Sequence, residues 1–402
     1  MPEEKAQTED SAPTPINAPP PASDADRDAD TRAANTFALK MMSRAGKKDR
    51  GNLMVSGTSL RQALGAAYVG SSGATKQEMA TAFGFSEDAK KTASAARAEI
   101  DALKKAKGQG AELSVANKIW VEKTMPVKPE YATLVAWAFG APAQNVDFKG
   151  ASDEARRTIN AWIGEQTKEK IKDLLPEGSV TGATRAVVTN AIYFKGKWVN
   201  SFPKDATKDE PFKLDGKKSV NAPMMHVTDS FRYAHAGSVQ LVEMRYVGND
   251  LSLLVVLPDD ASPAALAKLE ESLTADQIEK WSGALQQSRL ELAMPKFTFK
   301  WGGSVKSILS DLGVKTAFSG KADFSGIASK PGDLQLSDVF HETWVALDEQ
   351  GTEAAAATGA VVKLTSLATG TATKVNVDHP FLFFVRGRGR ILFSGRVMEP
   401  KQ

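Results

Sequence analysis

The reading turns on residues 349–366, EQGTEAAAATGAVVKLTS. Ala354, Ala355, Ala356 and Ala357 make an unbroken run of the residue with the highest helix propensity. The run then passes into Gly359-Ala360-Val361-Val362 and a Thr/Ser/Gly/Ala tail that no helix favours. Glu353 is the one charge between Gly351 and Val362, in a chain that is 25% charged, and no proline interrupts it. The segment is small, nearly uncharged and able to become a strand, yet it has no obvious place in a core.

The rest of the chain sets the frame. Its 402 residues, 42% apolar, are enough to bury a large core, and the net charge of +3 is too small to argue for electrostatic capture of nucleic acid. No apolar run is long enough for a transmembrane helix. With no cysteine there is no disulfide, catalytic thiol or thiolate metal site. Residues 1–23, with Pro15, Pro19, Pro20 and Pro21 and no apolar period, read as an extended, disordered leader, and residues 24–402 as a single domain. No apolar signal segment follows Met1.

Helical patterns dominate the first half: residues 29–46, 58–70, 75–85 and 95–106, then a long amphipathic helix over 152–175 closed by Pro176 and Gly178. Residues 111–123 alternate as a strand, and 185–198 are apolar enough for a central one. The second half is strand-rich, at 239–246, 251–258, 289–299 and 343–349, with helices near 262–285 and 303–312. It ends in a hairpin, PFLFFVRGRGRILFSGRV, whose arms flank a Gly-Arg turn. Early helices and late strands predict an α+β fold.

Enzyme chemistry finds no support. Among His226, His235, His341 and His379 there is no HExxH, since HETWV lacks the second ligand, and no GxSxG elbow occurs. GSSGATK (70–76) fails the spacing of a phosphate-binding loop, and RGRGR reads as a solvated hairpin turn. No metal and no cofactor is expected.

Four segments, in order and correctly spaced, resemble the serpin family: NLMVSGTSLRQALGAAYVGSSGAT (52–75), NAIYFKGKW (190–198), DEQGTEAAAAT (348–358) and DHPFLFFVRGRGRILFSGRVMEP (378–400). The likeness covers nearly all of residues 30–400 and is to the inhibitory type, with a bacterial source expected. It implies helices packed on three β-sheets with an exposed reactive-centre loop at about 349–374. The protein would be a monomeric suicide-substrate inhibitor: a target serine protease cleaves the loop, and the loop's N-terminal part enters the central sheet while the acyl-enzyme persists. A non-inhibitory carrier or chaperone-like member, and inhibition of cysteine proteases, are the alternatives. An extracellular, periplasmic or cell-surface location is expected from the family and the Pro-rich leader.

Site residues carry over by position. The hinge is Glu349, Gly351, Thr352, Glu353, Ala354, Ala355, Ala356, Ala357 and Thr358, and family spacing from Gly351 puts the reactive bond at Thr365–Ser366. Counted from there, Thr352, Ala354, Ala356, Thr358, Ala360 and Val362 share the buried face of an inserted strand, with Glu353 and Lys363 opposite. Ser56, Ser59, Asn190 and His341 match the polar cluster called the shutter, with Gly57 standing where a proline is usual, a change expected to loosen the helix entrance. Trp198, Lys296 and Glu349 match the breach, where insertion begins, and imply a Lys296–Glu349 ion pair. Threonine at the bond suits elastase-like or subtilisin-like proteases; Leu364 or Leu367 would suit chymotrypsin-like ones, and Lys363 trypsin-like ones. Lys104, Lys105 and Lys107 are a modest, solvated cluster that does not support a polyanionic activator.

Overall fold

The computed structural model describes residues 14–106, 111–215, 217–248, 250–328, 330–352 and 371–401. The expectations for Glu353, Ala354, Ala355, Ala356, Ala357, Thr358, Thr365 and Ser366 lie outside the described residues.

Nine helices and fifteen strands are found among those described. The first half holds α1 (Asp24–Lys48), β1 (Leu53–Val55), α2 (Gly57–Val69), α3 (Gly73–Phe83), α4 (Ala89–Ala106), β2 (Ala111–Glu122), α5 (Pro129–Phe139), β3 (Ala143–Val146), α6 (Phe148–Gln166) and β4 (Ala186–Lys197). Then come β5 (Lys208–Lys213), β6 (Ser219–Ala236), β7 (Val239–Arg245), β8 (Leu251–Pro258), α7 (Pro263–Ser272), α8 (Ala275–Ala284), β9 (Gln286–Pro295), β10 (Phe297–Ser304) and α9 (Lys306–Asp311). The chain closes with β11 (Leu336–Asp348), β12 (Gly351–Thr352), β13 (Thr373–Asn376), β14 (Phe381–Gly387) and β15 (Arg390–Val397). Ser23 starts α1 by accepting a hydrogen bond from the Asp26 N–H at 3.1 Å, and Pro20 just before it accepts one from the Ser94 hydroxyl of α4 at 2.7 Å.

The strands form two hydrogen-bonded sheets. One runs β10-β11-β12-β4-β2-β3; the other has nine strands, β1-β15-β14-β8-β7-β6-β9-β13 with β5 on β6. Three sheets were expected. Two of them are joined here because the 18-residue β6 pairs with β5 at one end, β7 at the other and β9 along its middle.

Three apolar layers hold this together. Helices α1, α2 and α5 bury Phe37, Met41, Leu60, Tyr68 and Phe139 against the sheets. A second core, with Phe194, Trp198, Tyr246, Phe297 and Phe383, lies between the two sheets. The third packs Phe148, Ile159 and Ile163 of α6 onto Trp120, Val187 and Phe340 of the six-stranded sheet.

Two expectations need correction. The helix expected over 152–175 stops at Gln166: Lys168 and Glu169 turn to positive φ (51° and 61°), and the Thr167 hydroxyl donates to the Ile163 carbonyl at 2.8 Å. The Asn160 side chain then receives the Leu175 N–H at 2.9 Å, so 167–175 folds back along α6 as irregular chain. The strand expected over 289–299 is two strands in different sheets. Pro295 ends β9, and the chain crosses at Lys296, whose N–H bonds the Pro223 carbonyl at 2.9 Å, to begin β10. That crossing places Lys296 at the mouth of the six-stranded sheet.

Candidate functional site

In the six-stranded sheet β11 and β4 run parallel, paired from Leu336↔Ala186 to Trp344↔Tyr193. Above that point they part. After Asp348 the chain reverses and Gly351–Thr352 enters between them, antiparallel to both: Leu347↔Thr352 and Asp348↔Gly351 on one side, Gly351↔Lys197 and Thr352↔Gly196 on the other. The Asp348 carboxylate shapes the reversal by accepting the N–H groups of Gln350 (2.8 Å) and Gly351 (3.1 Å). Residue 351 must be glycine, because a Cβ there would lie 1.9 Å from the Gly196 carbonyl oxygen.

Around this wedge lie the residues matched to the breach. Lys296 Nζ is 3.2 Å from a Glu349 carboxylate oxygen, and the other oxygen accepts from the Thr207 hydroxyl at 2.9 Å. Burial pushes the Glu349 pKa upward, but its own backbone N–H, the Thr207 hydroxyl and Lys296 outweigh that and hold it below the usual range. Trp198 anchors the turn from below: its indole N–H donates to the Asp348 carbonyl (3.0 Å) and its backbone N–H to the Gln350 carbonyl (2.9 Å). Its ring stacks on Tyr246 with centroids 4.4 Å apart. Asp348, Thr207 and Tyr246 belong to the site although the sequence reading did not single them out. An Asp two residues before Gln350-Gly351 is a legible turn signal; Tyr246 looked like one more strand residue.

Lower in the same gap lie the residues matched to the shutter. His341, Asn190 and Asn117 share one row across β11, β4 and β2. The Ser56 N–H donates to His341 Nε2 at 3.2 Å, which makes Nδ1 the protonated nitrogen and so the donor to Asn190 Oδ1 at 2.5 Å. The Asn190 amide spends its two N–H bonds on the Ser59 hydroxyl (2.5 Å) and on Asn117 Oδ1. The Ser56 hydroxyl donates to the Leu392 carbonyl at 2.8 Å and accepts the Ser59 N–H at 3.2 Å, capping α2. Burial drives the His341 pKa down to about 3, so the ring is neutral. This directed chain ties β2, β4 and β11 to the start of α2. Asn117 was missed, though its phase with Val115 and Ile119 marks a polar residue on a core face that needs a partner.

Gly57 does not leave that entrance loose. A Cβ there would come within 2.4 Å of Ala38 Cα, so glycine lets α1 and α2 touch backbone to backbone while Ser56 caps the helix. The basic turn is solvated at its tip, Arg388–Gly389, as expected, but the arginines flanking it are largely buried in ion pairs. Arg386 pairs with Glu243 (2.6 Å), Arg388 with Asp250 (2.6 Å), and Arg390 with Asp30 (2.9 Å) and Glu99 (3.0 Å). The charges of Arg386 and Arg390 are spent inside the fold, and that of Arg388 is paired at the surface. Among the described residues no helix is long and apolar enough to cross a membrane.

A family model described as Serpin (serine protease inhibitor) matches residues 32–400. The leukocyte elastase inhibitor of Bos taurus is 35% identical over 379 residues, covering 92% of this chain and 99% of that protein. Among solved structures, Serpin48 of Tenebrio molitor, titled a highly specific serpin, aligns with a TM-score of 0.83 at 31% identity, covering 92% of this chain and 98% of that one. Human thyroxine-binding globulin aligns at 0.85 and 25% identity, covering 94% and 100%. The extracellular, periplasmic or cell-surface location expected from the family and the leader is not supported by these relatives.

Proposed function

We propose a trap mechanism for this chain, which belongs to the serpin family and is a protease inhibitor, not an enzyme. A serine protease attacks the loop after the hinge, the acyl-enzyme forms at Thr365–Ser366, and residues 352–365 enter the gap between β4 and β11 as a new strand. Serpin loop insertion is an established form of strand addition. The observation that carries the proposal for this chain is the wedge already present at Gly351–Thr352.

The register of that wedge supports the parity read from the sequence. Continued antiparallel, it sets 354 opposite Phe194 and Val345, 356 opposite Ile192 and Thr343, and 358 opposite Asn190 and His341. Directly paired residues point to the same face, and Val345, Ile192, Asn190 and His341 are all buried. The small even-numbered residues therefore enter the interior and Glu353 stays outside. Thr358 reaches the row where insertion breaks the His341–Asn190 bond, and its hydroxyl can donate to one former partner and accept from the other. Fourteen residues at about 3.3 Å each would carry the protease roughly 45 Å.

Threonine at the bond, and a relative named for elastase, support an elastase-like or subtilisin-like target. The test is incubation with elastase, subtilisin, chymotrypsin and trypsin, read by denaturing gels and mass spectrometry. A detergent-stable covalent complex with release of the peptide beginning at Ser366 is the expected outcome. Cleavage within 360–368 with no complex would refute the trap.

A further inference from the structure

We propose that Tyr246 is a positioning residue for the inhibitory reaction: its phenol recognises the hydroxyl of Thr352 and fixes the register in which the rest of the loop enters. This rests on the trap reading above and names a residue on which its first step depends.

Tyr246 is held on every side. It follows β7 and forms an isolated bridge to Trp198; its N–H bonds the Leu251 carbonyl at 3.0 Å. On either side of it the Val199 N–H reaches Arg245 (2.9 Å) and the Val247 N–H reaches Lys197 (2.8 Å), so the end of β7 is stitched to the end of β4. The fully buried ring lies flat on Trp198 and edge-on to Phe194, with centroids 4.4 and 5.0 Å away. Gly196, opposite Thr352 in the ladder, leaves the room it occupies, since a Cβ there would lie 2.6 Å from Tyr246 Cδ1. The phenol is a fixed post where the two sheets meet, and burial raises its pKa, keeping it protonated.

The post meets the hinge at one atom. Tyr246 OH is 2.8 Å from Thr352 Oγ1, and Thr352 is itself buried. In an expelled hinge the threonine hydroxyl would be hydrated and the phenol would lose this partner, so the bond favours the inserted state. It also checks register. Shifting the strand by one residue turns every side chain to the other face, which would bring Glu353 against the ring in place of the hydroxyl. Valine at 352 has the shape of threonine and no donor or acceptor, so it would leave the phenol oxygen orphaned; serine keeps the bond.

The experiment compares wild type with Y246F, T352V, T352S and the Y246F/T352V double variant. Two quantities are read: the ratio of covalent complex to cleaved inhibitor with the protease found above, and the melting temperature of each intact protein. Y246F and T352V are each expected to lower the complex-to-cleaved ratio by about tenfold, the loss of one buried hydrogen bond. The rate of loop attack stays unchanged and T352S remains within about twofold of wild type. The double variant should lose no more than either single one, because neither hydroxyl is then left without its mate. Y246F trapping like wild type, T352S failing like T352V, or losses that multiply in the double variant would each overturn the proposal. If wild type itself yields only cleavage, the trap reading fails, and the melting temperatures decide: non-additive shifts keep the Tyr246–Thr352 contact as a determinant of the hinge, and additive shifts remove it.

Discussion

The same two strands, β4 and β11, are treated in opposite ways at two heights of one gap. At the breach they are held apart by Gly351–Thr352, and the groups there face the incoming hinge: Trp198 on the turn carbonyls, Tyr246 on Thr352, Lys296 and Thr207 on Glu349. At the shutter they are paired directly, and the Ser56–His341–Asn190–Ser59 chain bonds the strands to each other and to α2. On the proposed mechanism the breach is a start already made, and the shutter a closure to be undone before the strand goes further. A buried polar chain suits that role. Its bonds are strong while complete and are exchanged for equivalents when a hydroxyl arrives, whereas an apolar zipper would offer the incoming strand nothing specific.

The contrast can be broken at either height. The largest effect is expected from Thr352→Arg, which puts a charge where the structure holds a buried hydroxyl. Cleavage should continue at the wild-type rate while the covalent complex falls below detection on a denaturing gel; undiminished complex would remove insertion from the mechanism.

Next is Asn190→Ala. It orphans His341 Nδ1–H and the Ser59 and Asn117 oxygens together, a destabilisation of about 2–4 kcal/mol in the intact protein. Its melting temperature should drop clearly, and an unchanged one would show that the chain is not holding the gap closed.

Acid reaches the same place more gently. His341 takes up a proton at about pH 6.5 when unfolded and only near pH 3 when folded, so the unfolded state binds more protons between those values. The stability tied to the neutral ring is fully present above pH 6.5 and is lost as pH falls toward 3, amounting to about 3 kcal/mol by pH 4.5. Melting temperatures from pH 7.5 to 4.5 should fall less steeply in His341→Gln than in wild type; equal slopes would contradict the assignment.

The smallest effect belongs to Lys296→Met. The Lys296 side chain is about a third exposed, and Glu349 keeps the Thr207 hydroxyl, so about 0–1 kcal/mol is at stake. A slight rise in spontaneous inactivation on warming is expected, and a loss as large as that of Asn190→Ala would reverse the ranking of the two heights.

Much of this was legible because it lies in local signals. The C-terminal hairpin, the alternation of 111–123 and the apolar run at 185–198 became β14–β15, β2 and β4 within a few residues. The matched positions Ser56, Ser59, Asn190 and His341 lie in one hydrogen-bonded chain, and Lys296 and Glu349 within ion-pair distance. What stayed hidden depends on contacts between distant segments. Tyr246 gains its place only once the ends of β7 and β4 meet, and the termination at Gln166 depends on Asn160 and Thr167 capturing backbone groups that a periodicity count assigns to the helix. The 18 residues of β6 went unread because Pro223 interrupts the run and the buried parity switches from Ala222 and Met224 to Met225 and Phe231, so no single alternation spans the strand.

Whether the gap between β4 and β11 accepts the cleaved loop as a strand is decided by the thermal melt of intact protein beside protein cut within 360–368. The cut form, its gap filled, should melt far above the intact one, and Thr352→Arg should abolish most of the rise. Coincident melts of cut and intact wild-type protein would contradict insertion.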